Sequence, residues 1–202
     1  MVNIESNKNN LGLLKNIPKS ILSKVNISNN FLAASNDTEV EVSIISGSSP
    51  EEISQIVENL GGKYTDLGII WIDAHPDVST VKDGYPNAHA MVLGSLMGHG
   101  DSALTDMMKN EKFKADEILY VGLQDLHDYQ RKFLDDMGVD YKIQKEEPVS
   151  NEEILTFIKR FSHILIHFDI DALDERLFHS TYFANQEFVG DGSGGGRLTM
   201  EN

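Results

Sequence analysis

Short apolar runs along the chain predict the strands of a β-sheet. Residues 67–72 (LGIIWI) and 118–123 (ILYVGL) are almost uninterrupted, which is typical of strands that are covered on both faces. Three further stretches are also predicted to be strands: residues 40–45, 139–143 and 163–170. The pattern therefore predicts five strands.

Segments with helical signals lie between these strands. Ser49 and Ser150 each have a glutamate three residues later, the capping-box pattern that begins a helix. The predicted helices cover residues 49–60, 88–97, 102–109, 126–137 and 150–161. Strands that alternate with helices indicate the α/β class, with a mainly parallel sheet and helices on both of its faces.

The two ends of the chain carry weaker patterns. Residues 1–38 are rich in Asn, Ser and Lys, and Pro18 suits the first turn of a helix, so we expect an arm with one short helix. Residues 190–196 predict a flexible glycine-rich loop, and residues 199–202 resemble the first turn of a further helix. We therefore expect a domain over residues 39–202 that lacks its C-terminal part.

Charge and composition narrow the classes of function. The 202 residues include 32 acidic and 17 basic side chains, a net charge of −15, and no cysteine. An acidic surface repels phosphate backbones and anionic lipids, so we expect no nucleic-acid or membrane partner. Without cysteine there is no disulfide, thiolate metal site or cysteine catalysis. No apolar run approaches the roughly 20 residues of a membrane helix, and no signal-peptide pattern opens the chain, so we expect a cytoplasmic protein.

The strongest chemical signal follows the strand at residues 67–72. Asp73, His75 and Asp77 alternate along the chain, so in an extended backbone their side chains point the same way. The carboxyl ends of parallel strands are where open α/β sheets place their binding sites. Read alone, the pattern is also typical of a hydrogen-bonded cluster at the edge of a loop.

A second acidic pair, Asp169 and Asp171, lies at the end of the strand at residues 163–170. If the two strands are neighbours, four carboxylates and one imidazole converge, a costly arrangement unless cations neutralise it. Two divalent cations would do so, and oxygen ligands with one nitrogen suit Mn²⁺ better than Ca²⁺. An Asp-x-Asp pair alone usually caps a helix or turn. His163 and His167, on the same face of this strand, are expected at core or edge positions with hydrogen bonds.

Three segments, in order, resemble the signature motifs of the ureohydrolases, the family of arginases, agmatinases and formimidoylglutamases. They are residues 73–77 (DAHPD), 87–91 (NAHAM) and 168–174 (FDIDALD). The resemblance implies an incomplete three-layer α/β/α arginase-like fold. It also implies two Mn²⁺ ions whose bridging hydroxide cleaves a guanidino or amidino C–N bond.

The resemblance also implies roles for individual residues. Asp73 and Asp169 would bridge the two ions. Asp77 would hold one ion, and His75 and Asp171 would hold the other.

His89, in the middle motif, would be the catalytic proton shuttle, a role that suits imidazole because its ordinary pKa is about 6.5. Without the resemblance, His89 is better interpreted as an ordinary histidine at a helix start.

Several positions depart from the family pattern. Ser49 stands where most members have a ligand histidine, so one ion is expected to bind more weakly. Ser79 replaces an asparagine of the arginases, and His127 replaces an aspartate that contacts their substrate. The family's final internal strand has no counterpart before residue 202, which leaves a gap in the expected sheet.

Two functions therefore compete. The first is a manganese-dependent ureohydrolase that acts on a small guanidino or amidino substrate. The alternative is a truncated, catalytically weak or inactive member that serves as a binding or assembly partner. A metal hydrolase with another substrate, such as the acyl-amine hydrolases that share this fold, is a third interpretation. An incomplete sheet favours association, so we also expect a possible homo-oligomer.

Overall fold

Five strands form a single sheet in the computed structural model of the chain, which describes residues 29–33, 39–45, 62, 64–106, 108–179, 184 and 194–199. The strands are β1 (Asn29–Ala33), β2 (Glu39–Ile45), β3 (Leu67–Ile72), β4 (Ile118–Val121) and β5 (His163–Phe168). Their order across the sheet is β1-β2-β5-β3-β4. β1 is antiparallel to β2, and the other pairings are parallel. The two strands that carry the acidic motifs, β3 and β5, are therefore neighbours.

Four α-helices connect and cover the strands within the described residues. They are α1 (Val92–Leu96), α2 (Ser102–Thr105), α3 (Asp128–Met137) and α4 (Asn151–Ile158). Short 3₁₀ helices cover Val81–Asp83, Ala88–Met91, Ala115–Glu117 and Ile170–Ala172. The predicted cap of α4 is present, since the Glu153 amide donates to Ser150 Oγ at 3.2 Å. No helix in these ranges is long and apolar enough to cross a bilayer.

Apolar side chains of β3 pack alternately against helices on the two faces of the sheet. Ile69 belongs to one core with Leu93 of α1 and Leu134 of α3. Ile70, the next residue, belongs to a second core with Phe157 of α4. The sheet thus lies between two helical layers, and the predicted three-layer α/β architecture with a mainly parallel sheet is confirmed.

Residues 139–143 do not form the strand that their apolar pattern predicted. The Val139 amide donates to the Leu134 carbonyl at the end of α3, and the Gln144 amide donates to the Leu123 carbonyl. Val139 and Ile143 are buried in the core beside α3, so their apolar character reflects packing and not sheet pairing. The predicted helix at residues 102–109 is also shorter, since α2 ends at Thr105.

β1 lies inside the segment that the sequence assigned to an arm. Asn29 pairs with Ser43, and Ala33 pairs with Glu39 of β2. Its sequence, NNFLA, has no strong strand pattern. The strand is stabilised by its pairing with β2 and not by local propensity. The predicted helices near Pro18 and at residues 49–60 lie outside the described residues, and the domain boundary at residue 39 stays a prediction.

β2 and β5 lie directly side by side, and their register pairs Ile44 with Ile166 and Ile45 with His167. The described strands form one continuous sheet, so the expected gap is not observed among them. The carboxyl ends of β2, β5 and β3 therefore meet at one edge.

Candidate metal centre

The residues that follow β3 and β5 begin at the same level of the sheet. The last residues of the two strands, Ile72 and Phe168, are register partners. The Asp169 amide donates to the Ile72 carbonyl at 2.8 Å, and the Asp73 amide donates to the Val121 carbonyl at 3.1 Å. These backbone hydrogen bonds hold the starts of both acidic motifs in place.

Asp73 lies at the centre of the cluster. Its side chain is buried, and Oδ1 accepts a hydrogen bond from the His75 amide at 2.7 Å. Oδ1 also lies 3.5 Å from His75 Nδ1, whereas Oδ2 lies 3.7 Å from His167 Nε2. The two oxygens of one carboxylate therefore face two different imidazoles.

Two overlapping groups of side chains could each hold an ion. One consists of Asp73, His75 and Asp171, and the other of Asp73, His167 and Asp169, with the ligand atoms of each group within 4.8 Å of one another. His75 Nδ1 is 3.2 Å from Asp171 Oδ2. Metal–ligand bonds of about 2.0–2.2 Å separate two ligands of one ion by about 3–4.4 Å. The observed separations fall in that range.

The electrostatics of the cluster favour cation binding. Burial opposes ionisation of Asp73, but His167 and His75 outweigh it and lower its pKa to about 2. Burial also opposes the charged form of His75, yet the carboxylates of Asp171 and Asp73 raise its pKa to about 11. Burial raises the pKa of Asp171 to about 6. Burial, with the charge of Asp73, raises the pKa of Asp77 well above its ordinary value. Divalent cations would replace the protons that this crowding retains, so these residues fit a metal centre.

Asp77 is buried beside the cluster but belongs to neither of the two ligand groups. Its φ of 52° is in the left-handed region, which a non-glycine residue seldom adopts. Its carbonyl accepts a hydrogen bond from the Gly94 amide of α1 at 3.0 Å. Helix α1 therefore supports the turn that positions the motif at residues 73–77.

Tyr120 of β4 also supports the turn that contains Asp77. Its hydroxyl donates to the Pro76 carbonyl at 2.8 Å, and both residues are buried. Burial raises the pKa of the Tyr120 phenol well above its ordinary value, with the charges of Asp77 and Asp73 adding to the effect, so the phenol stays a neutral donor.

Replacing Tyr120 by phenylalanine is expected to destabilise the protein by about 1–3 kcal/mol, because the Pro76 carbonyl loses its buried donor. Urea unfolding measures the change. Tyr141→Phe is the matched control, since that hydroxyl bonds the exposed Asp135 and its loss should cost less than about 0.5 kcal/mol. Equal costs for the two variants would show that the bond to Pro76 contributes nothing.

His89 stands apart from the two ligand groups. It is exposed on the 3₁₀ helix Ala88–Met91, and its Nε2 lies 3.3 Å from the Tyr85 hydroxyl. The two rings are arranged edge to face, with centroids 5.9 Å apart. Its role as a proton shuttle stays a prediction.

His167 is a residue of the centre that the sequence interpretation missed. It is 4% exposed and stacks on Trp71 with ring centroids 3.8 Å apart, but neither ring nitrogen has a hydrogen-bond partner. The expected hydrogen-bonded core histidine is therefore not observed. The signal was present in the sequence, because the alternation that aligns Asp169 with Asp171 also includes position 167.

The positions that depart from the arginase pattern lie together where they are described. Ser79 is buried, with Oγ 3.0 Å from the Tyr129 hydroxyl. The His127 ring stacks on Tyr129 at a centroid distance of 5.5 Å. Ser49 lies outside the described residues.

Comparison with known proteins supports the arginase-like fold. The arginase from Bacillus caldovelox is 30% identical to the chain over 119 residues, which are 55% of this chain and 40% of that protein. Its crystal structure superposes with a TM-score of 0.58 at 26% identity, covering 66% of this chain and 47% of that one. The fold is also shared with formimidoylglutamase from Bacillus subtilis, with a TM-score of 0.51 at 18% identity over 66% of this chain and 40% of that one.

The extent of the match and a family model together define the relationship. The chain spans about 40% of the length of the curated relatives that it matches. The model of the arginase family matches residues 48–183, more than half of the chain, and includes all three motifs. The chain therefore belongs to the arginase family of hydrolases, and it has the arginase-like α/β fold.

Proposed function

We propose that this chain is a manganese-dependent hydrolase that cleaves a guanidino or amidino C–N bond of a small substrate. The observation that carries the proposal is the pair of ligand groups that share Asp73 at the carboxyl edge of the sheet. Carboxylate and imidazole ligands without thiolates suit Mn²⁺. Membership of the arginase family supports the class of reaction.

Each residue of the centre has a defined task in this proposal. Asp73 and Asp169 would help to hold both ions, His75 and Asp171 would hold one of them, and Asp77 would hold the other. When bound, the ions would supply a hydroxide nucleophile by lowering the pKa of water. The exposed imidazole of His89 would transfer a proton at Nε2 between solvent and the departing amine.

The substrate is proposed by class. The relatives that are similar in sequence are arginases, and the fold is shared with a formimidoylglutamase. Ser79 and His127 differ from the arginase pattern, so agmatine and formimidoylglutamate are to be tested beside arginine.

Release of urea or ammonia from these three substrates with excess Mn²⁺ tests the proposal. Asp169→Asn is expected to abolish turnover and weaken Mn²⁺ binding, because a bridging carboxylate is lost. His89→Gln is expected to lower kcat by about 10²–10⁴-fold while Mn²⁺ binding persists. Asp136→Asn is the control, since Asp136 pairs with Lys132 on the exposed face of α3.

The alternative is a non-catalytic family member that serves as a binding or assembly partner. Ser49 in place of a ligand is the feature that favours it. Mn²⁺ binding without release of product from any of the three substrates would support this alternative and contradict the enzyme proposal. Light scattering on the same preparation would show whether the chain forms a homo-oligomer.

A further inference from the structure

We propose that Nε2 of His167 is a ligand of the second metal ion, together with Asp73 and Asp169. The inference rests on the proposed metal centre and adds a residue to it. It would supply an imidazole to the ion that Ser49, in place of histidine, leaves short of a ligand. Each ion would then have one imidazole, His75 on one side of Asp73 and His167 on the other.

The position of His167 in the sheet supports this role. It lies near the carboxyl end of β5, in register with Trp71 of β3 on one side and with Ile45 of β2 on the other. Ile45 is the last residue of β2 and precedes Ser49 by four positions. The strand that leads to Ser49 and the strand that carries His167 are therefore adjacent at the metal-binding edge.

The burial of His167 without a hydrogen-bond partner indicates that its ring nitrogens bind something else. The residue is 4% exposed, and neither ring nitrogen has a hydrogen-bond partner. The large majority of buried side-chain polar atoms in proteins have such a partner. An imidazole buried without one is expected where the nitrogen binds something other than a protein donor or acceptor.

The geometry identifies that partner as a cation shared with Asp73. Stacking on Trp71, with ring planes inclined by 24°, fixes the imidazole in place. Nε2 then lies 3.7 Å from Asp73 Oδ2, too long for a hydrogen bond. A separation of about 3–4.4 Å is that of two ligands bound to one ion. Asp169 supplies the third ligand atom of the group.

His163 provides a matched comparison on the same strand and face. It is also fully buried and stacks on an aromatic ring, Tyr64, with centroids 3.9 Å apart. Four residues of strand, about 13 Å, separate it from His167, so it lies far from the carboxylates. A purely structural role for buried histidines in β5 would apply to both residues, whereas metal binding applies to His167 alone.

The experiment measures binding of Mn²⁺ alone to the full chain, by titration calorimetry and by pulsed electron paramagnetic resonance with ¹⁵N-labelled histidine. Wild type is expected to bind two ions and to show nitrogen coupling from two imidazoles. His167→Phe keeps a ring on Trp71 but has no ligand atom. It is expected to lose more than about tenfold in affinity for one ion, with one imidazole coupling. His163→Phe is expected to change thermal stability and leave both affinities and both couplings unchanged.

The outcomes separate this inference from the proposed function. Two ions bound with unchanged affinity and couplings in His167→Phe would overturn the role of His167 and leave the enzyme proposal standing. A wild-type spectrum with coupling from one imidazole would overturn it even if the variant fails to fold. No Mn²⁺ binding by wild type would overturn both proposals.

Discussion

Replacing Asp73 by asparagine is expected to abolish the binding of both Mn²⁺ ions. The two ligand groups overlap only at this residue, and its two oxygens face different imidazoles. Asparagine keeps the volume but loses the charge and one of the two oxygens. Asp169, the second proposed bridging carboxylate, belongs to one group only, so its loss is expected to weaken metal binding, whereas loss of Asp73 disrupts both groups and has the largest expected effect.

Thermal unfolding with and without Mn²⁺ measures the effect. A ligand at about 100 times its Kd stabilises by about 2.7 kcal/mol, and for a chain of this size that raises Tm by roughly 5–10 °C. Asp73→Asn should show no such rise. Asp174→Asn is the control, because Asp174 is equally buried but pairs with Arg176 outside the ligand groups. A full Mn²⁺ response in Asp73→Asn would contradict the shared-carboxylate centre.

Replacing Trp71 by alanine is expected to cost about 3–5 kcal/mol of folding free energy, because a large buried side chain is removed and leaves a cavity. Trp71 is 0% exposed and belongs to the core between the sheet and helices α1 and α3. Because domains are stable by only about 5–15 kcal/mol, the variant is expected to be near the threshold of unfolding. Removal of the indole also releases the His167 ring that stacks on it.

Trp71→Phe is the informative partner of that variant. The Trp71 indole nitrogen is buried without a hydrogen-bond partner, so phenylalanine removes an unsatisfied donor together with some volume. The relief of that donor, worth about 1–3 kcal/mol, offsets part of the packing loss. Urea unfolding should therefore place Trp71→Phe well above Trp71→Ala in stability. Equal losses would show that the indole N–H has a partner in the folded protein.

Local patterns predicted much of the sheet and most of the proposed ligands. Strands β3, β4 and β5 correspond to mostly apolar runs, because strands covered on both faces need apolar residues at nearly every position, and β2 was also predicted although it includes Glu41 and Ser43. The grouping of Asp73 with His75, and of Asp169 with Asp171, also follows from alternation along the chain. These features depend on residues that are close together in the sequence, so they can be predicted without the tertiary structure.

Other features depended on contacts between distant segments. Val139 and Ile143 pack in the core beside α3, and strand β1 forms by pairing with β2, so the local pattern misjudged both segments.

His167 shows the same difference between local pattern and tertiary contact at the candidate metal centre. The sequence placed it on a strand with the parity of Asp169. Only the tertiary structure placed Trp71 beside it and brought its Nε2 near Asp73, with no hydrogen bond to either ring nitrogen. The sequence alone determined the family, the class of fold and the acidic motifs, because these are carried by residue types at short spacings. The tertiary structure decided the strand order and the second imidazole, because both arise from pairing of β5 with β2 and β3 across the sheet.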